Sequence, residues 1–151
     1  MATITSTTFA NYQPGGLHVG TMSKSGQVVV PATGTAPSAG DVAFLCKIPH
    51  GAVIVDFMED HTCADTIGIS FGLATGGPSG QATLSALISS GAKATFNRRN
   101  VVNTGGGVTV SVSDNDPSRY GVLSAKIESG SLTASVTINW TVLYRYDRNA
   151  G

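Results

Sequence analysis

The sequence predicts an all-β fold: an antiparallel two-sheet β-sandwich or jelly roll of about eight strands behind an extended N-terminal arm. Three observations carry this. First, residues 132–147, LTASVTINWTVLYRYD, alternate in twos, with Leu132, Ala134, Val136, Ile138, Trp140, Val142, Tyr144 and Tyr146 against Thr133, Ser135, Thr137, Asn139, Thr141, Leu143, Arg145 and Asp147. Successive side chains of a strand point to opposite faces, so this period marks a long strand with one buried face. Second, other short apolar runs recur between clusters of Gly, Pro, Ser and Asp, with no alternation of strands and helices. Third, 41% of the residues are hydrophobic, only 12% are charged, and glycines number 19, a balance suited to strands joined by many turns rather than to disorder.

Residues 1–26 form the expected arm. They are rich in Thr, Ser and Gly, and Lys24 is the only ionised side chain among the first forty residues. The segment reads as a loose tail or an edge strand, or as an arm laid over a neighbouring protein; its scattered apolar side chains are unlike a solvated tail, and Phe9, Tyr12 and Leu17 are the expected partner-binding anchors of the arm. Residues 27–151 form the expected sandwich domain. Within it, 27–31 (QVVVP) reads as a short strand stopped by Pro31, because proline cannot donate to a ladder. Residues 41–48 (DVAFLCKI) are apolar on both faces, as in a strand covered on both sides. Residues 52–61 (AVIVDFMEDH) read as the next strand, and the tight turn at Pro49, His50 and Gly51 predicts a hairpin joining the two.

Residues 67–75 place Ile67, Ile69, Phe71 and Leu73 on one face. Gly68, Ser70, Gly72 and Ala74 lie on the other, where a second backbone or sheet can approach closely. Residues 82–91 carry Leu84, Leu87 and Ile88 at helical spacing diluted by Ser and Gly, and read as a short helix or irregular segment. Strands are expected near 94–99, at 108–113 and at 120–128, before the long alternating strand.

The formal net charge is zero, which provides no field for nucleic acid or an acidic membrane. Poor self-repulsion suits a chain whose surface is covered in an assembly. There is no run of about eighteen apolar residues to cross a membrane as a helix. The N-terminus lacks the basic start and apolar core of a secretion signal. Cys46 and Cys63 are therefore expected as free thiols of a chain made in a reducing cytoplasm.

Chemistry-bearing motifs are weak. Glu59, Asp60, His61, Cys63 and Asp65 are possible metal ligands, but structural zinc normally takes four N or S donors, and the group reads as a polar loop after a strand. Asp114 and Asp116 lack the glycine and glutamate of a calcium loop. No nucleophile elbow or phosphate loop is present. Arg98 and Arg99 read as a surface or subunit salt-bridge site, with Asp56, Glu59, Asp60 and Asp65 as a possible complement in a symmetric oligomer. No catalytic residue, cofactor or metal site is assigned.

The segment SGQVVVPATGTAPSAGDVAFLCKIPHGAVIVDFMEDHT resembles a pattern in small virion proteins of tailed bacteriophages. There, a hairpin of the form Gly-Asp-Val, apolar run, Lys-Ile-Pro-x-Gly-Ala-x-Ile-x-Asp follows a valine-rich strand. Gly40, Asp41, Val42, Lys47, Ile48, Pro49, Gly51, Ala52, Ile54 and Asp56 carry the match, and the strand ending Phe71-Gly72-Leu73 and the closing strand fit as well. Residues 76–128 are not matched. The resemblance implies a capsid decoration (cement) protein with a jelly-roll or sandwich body. It would often be trimeric and bound outside the head lattice to the major capsid protein, on virions assembled in a bacterial host. Two other readings stand beside it: another virion component, such as a head-fibre base or tail protein, and a glycan-binding β-sandwich adhesin. Against the last, Trp140 falls on the apolar face of its strand.

Overall fold

The structure, a computed structural model, describes residues 3–5, 21–63, 67–74, 84–92, 97–100, 108–110 and 120–146. For 3–5, 84–92, 97–100 and 146 it describes the backbone alone. The described residues hold ten strands and no helix: β1 (Thr3–Thr5), β2 (Thr21–Val29), β3 (Val42–Pro49), β4 (Ala52–His61), β5 (Gly68–Ala74), β6 (Leu84–Ala92), β7 (Asn97–Asn100), β8 (Val108–Thr109), β9 (Tyr120–Ser129) and β10 (Thr137–Tyr146). They form two sheets, one in the order β1-β3-β9-β5-β6 and one in the order β2-β10-β4-β7, with β8 also pairing β4. Every pairing is antiparallel except β1 with β3, which is parallel. This is the expected β-sandwich. The pairs are nested: β2 with β10, β3 with β9, β4 with β7 and β8, and β5 with β6.

The closing strand behaves as its alternation requires. Val136, Ile138, Trp140, Val142 and Tyr144 are buried, while Thr137, Asn139, Thr141 and Leu143 between them are partly exposed. It is central in its sheet, with ladders to β2 and β4. It starts later than expected, however. Ser135 has φ 67°, a left-handed backbone that cannot continue a strand. Residues 132–136 are thus a turn, and Ala134 is exposed rather than buried.

Three further expectations are corrected. The strands on either side of Gly51 do not pair as a hairpin: β3 pairs β9 and β1, whereas β4 pairs β10, β7 and β8. Gly51, at φ 79°, turns the chain from one sheet to the other. The Gly51 N–H donates to the Val110 carbonyl at 2.9 Å, and the Val110 N–H to the Ala52 carbonyl at 2.8 Å, which fixes this corner. A strand apolar on both faces, as β3 is, needs cover on both, and a corner between sheets supplies the inner layer.

Second, the helix read within residues 82–91 is replaced by a strand from residue 84 on, since β6 occupies Leu84–Ala92 against β5. Its ladder has register shifts between Ile69 and Phe71 and between Phe71 and Gly72. Bulges of this kind break the period of two and leave apolar residues three apart, which mimics a helix. Third, β2 begins at Thr21, six residues before the strand read at 27–31, and pairs β10 over nine positions from Thr137↔Val29 to Arg145↔Thr21.

The core lies between the sheets. Phe57 of β4 and Phe71 of β5 meet across it with ring centroids 5.4 Å apart, inclined at 43°. Leu45, Ile48, Ile54, Leu123, Ile138 and Val142 surround them. A Cβ at Gly121 would stand 2.5 Å from Val110 Cγ1, so glycine there lets the corner close on β9. On the far face of β5, Gly68, Ser70, Gly72 and Ala74 are all buried, as their small size leads one to expect. Ala74 clusters there with Val42, Phe44 and Val122, and Tyr120 packs against the group.

Candidate interaction surfaces

Glu59, His61 and Cys63 share one parity on or just past β4, and all three are buried. His61 Nδ1–H donates to Glu59 Oε2 at 2.7 Å, with both side chains 1% exposed. Trp140 lies opposite Glu59 on β10, and Ile138 opposite His61. The EDHTCAD cluster is thus not a polar loop. Part of it is a hydrogen-bonded pair inside the sandwich, because residues two apart on a strand face the same way. Asp60, of the other parity, is exposed, and Asp65 lies outside the described residues. Among the described residues no three His, Cys, Asp or Glu side chains are placed to hold a metal ion.

The acidic complement suggested for Arg98 and Arg99 changes accordingly. Asp56 and Glu59 are both buried: Glu59 faces the interior, while Asp56 shares the parity of Met58 and the exposed Asp60. The strand bearing the arginines pairs β4 within the same chain, with Arg98 in register with Met58 and Arg99 with Phe57.

Cys46 and Cys63 are both free and buried. Burial pushes the Cys46 thiol up to about 12, with Lys24 opposing, and pushes Cys63 to about 11, with the Glu59 charge adding to it. A thiol whose folded pKa is raised stabilises the fold fully below its unfolded value of 9.0, and that share is lost as pH rises toward the folded value. The midpoint of urea unfolding should therefore fall between pH 9 and 12. Cys46 should contribute up to about 1.4 kcal/mol per pH unit. Cys46→Ala should flatten the decline, and an equal decline in the variant would contradict this assignment.

Two surfaces face outward with contact potential. The outer face of the β2-β10-β4 sheet carries hydroxyl and amide groups and few charges. A shallow trough of about 490 Å³ crosses its three strands, walled by Gln27, Asn139 and Asp60 on one side and Ser25, Thr141 and Met58 on the other. Gln27 Nε2 donates to Asn139 Oδ1 at 2.7 Å, tying two groups of one wall together. Trp140 passes beneath, 2% exposed, and so offers no stacking platform for a sugar ring. Among the described residues, Val29 is the large apolar side chain most open to solvent, at 49%.

The other surface is the side of the sandwich where β2 and β3 approach. The Lys24 ammonium donates to the Lys47 carbonyl at 2.8 Å and so links the edge strand of one sheet to the other sheet. Burial holds this ammonium below the usual lysine range, although Cys46 works the other way. A charge directed inward from an edge strand discourages pairing with foreign strands. Beside it, β1 closes part of the β3 edge through Thr3↔Val42, Ile4↔Ala43 and Thr5↔Phe44. The expected anchors Phe9, Tyr12 and Leu17 lie outside the described residues, in the stretch joining β1 to β2.

No protein-family model matches the chain, and no curated protein matches it. Among solved structures, the chain is similar to a chain from the capsid of Ralstonia phage GP4. The identity is 20% and the TM-score 0.71, over 98% of this chain and 100% of that one. A chain of the cyanophage Pam1 capsid asymmetric unit aligns at 18% identity and a TM-score of 0.48, over 91% of this chain and 96% of that one. The first likeness shows that the whole sandwich, end to end, is a fold found in another chain.

Proposed function

We propose that the chain is a structural protein of a bacteriophage virion, a capsid decoration protein that binds the outside of the head lattice and stabilises the shell. The observation that carries this reading is the end-to-end likeness to a chain of a phage capsid. Because that alignment leaves almost nothing of either chain over, the two are of similar length.

The surface agrees. The described outer face is charge-poor and rich in hydroxyl groups, Glu59 and His61 of β4 are internal, and the body holds itself together by burial. We read the nested strand order as a jelly roll. In this reading the partners are the major capsid protein and further copies of the chain, as a trimer, with Phe9, Tyr12 and Leu17 as apolar anchors. A trimer touching several capsid subunits gains avidity without any single strong contact. It raises shell stability because it binds the assembled state alone.

The test is addition of purified protein to shells that lack it. Saturable binding with a rise in the shell's melting temperature is expected. Absence of binding, or binding without any change in shell stability, would overturn the decoration role.

A further inference from the structure

We propose that the β3 edge at residues 42–44 is an exchange seat, which in the assembled protein takes Thr3–Thr5 from a second copy of the chain. This rests on the homo-oligomer reading above.

Three observations carry it. The seat is built from backbone: a three-residue parallel ladder holds β1 to β3, so it is the same in every copy. It also needs an occupant. With β1 seated, Val42 is 2% and Phe44 5% exposed, and an unpaired row of backbone N–H and C=O groups beside them would invite uncontrolled pairing. Farther along β3, Lys24 already engages the Lys47 carbonyl, leaving the stretch at 42–44 for β1.

The connection has more length than docking within one chain requires. The strands β2 and β1 lie on the same side of the sandwich, on opposed sheets that pack about 10 Å apart, with Thr21 about six strand residues, roughly 20 Å, closer to the Gly51 corner than Thr5. Residues 6–20 join them, and a connection of this length can span about 50 Å when extended. No ionised side chain precedes Lys24, so a crossing segment meets little repulsion from a neighbour.

In a dilute monomer the tether keeps β1 on its own chain, at an effective concentration on the order of millimolar. Copies held side by side present a neighbouring seat at a similar effective concentration. Exchange then forms the same ladder while tying one copy to the next, and a closed ring fills every seat.

The test is the double variant Thr3→Cys/Val42→Cys, placed at one register pair and mildly oxidised near neutral pH, where the buried native thiols stay unreactive. Exchange predicts covalent dimers and higher species on a denaturing gel. Cross-links confined to single chains within an oligomer seen by native mass spectrometry would overturn the exchange and leave the oligomer standing. A monomer by native mass would overturn both. Truncation of residues 1–5 decides the matter independently of cross-linking. Assembly should weaken at least about tenfold with the β-sheet circular dichroism intact, and an unchanged dissociation constant would overturn the exchange.

Discussion

A chain lacking residues 1–20 should fold normally and lose its hold on capsids by about a hundredfold or more. The body should survive because β2 starts at Thr21 and keeps its nine-position ladder to β10, Lys24 included. Among the described residues, the other sheet loses β1 alone. A cut at residue 27 would instead remove six residues of β2, and would confuse lost contact with lost fold. Binding should collapse because avidity multiplies the contacts of linked subunits, and deleting one arm per subunit removes them all together, a loss on the order of 10²–10⁴. Replacing Phe9, Tyr12 and Leu17 together with Ser should reproduce most of it. Co-sedimentation with shells is the measurement, and retention equal to that of the intact chain would contradict the anchor assignment.

Glu59→Leu should destabilise the isolated protein by about 3 kcal/mol. The substitution leaves the His61 imidazole inside the sandwich without its carboxylate, and a buried polar group stripped of its partner costs its desolvation. Among the described residues His61 Nε2 has no hydrogen-bond partner, so Nδ1 carries the satisfaction of the ring. Glu59→Leu/His61→Leu should recover to within about 1 kcal/mol of the parent, since replacing both members of a buried pair by apolar groups is often neutral or better. Urea unfolding of the three proteins closes the cycle. A double variant as unstable as the sum of its singles would show that the two side chains act separately.

These results also show which features could be read from one dimension. The alternation at 136–144 sufficed to find β10, because one buried face imposes a period of two on a strand whatever its neighbours. The pairing of β3 was hidden. Its partner β9 lies far along the chain, and the tight turn at Gly51 looks the same locally whether it joins a hairpin or a corner. Residues 21–26, TMSKSG, carry little strand propensity and are extended because β10 offers them a ladder. In β6, bulges replaced the spacing of a strand with that of a helix.

The interior pair was closer to legible. Glu59 and His61 stand two apart at the end of an apolar strand, which already places both on one face, but the polar letters suggested a loop. Phe9, Tyr12 and Leu17 stand out by apolar character in a charge-free stretch, a signal that names contact without naming the surface contacted.

The central claim is that this β-body acts by coating a shell. Quantitative mass spectrometry of purified virions tests it most directly. A copy number that scales with the number of major capsid subunits is the predicted result. A handful of copies confined to one vertex or to the tail, or none on intact particles, would contradict it.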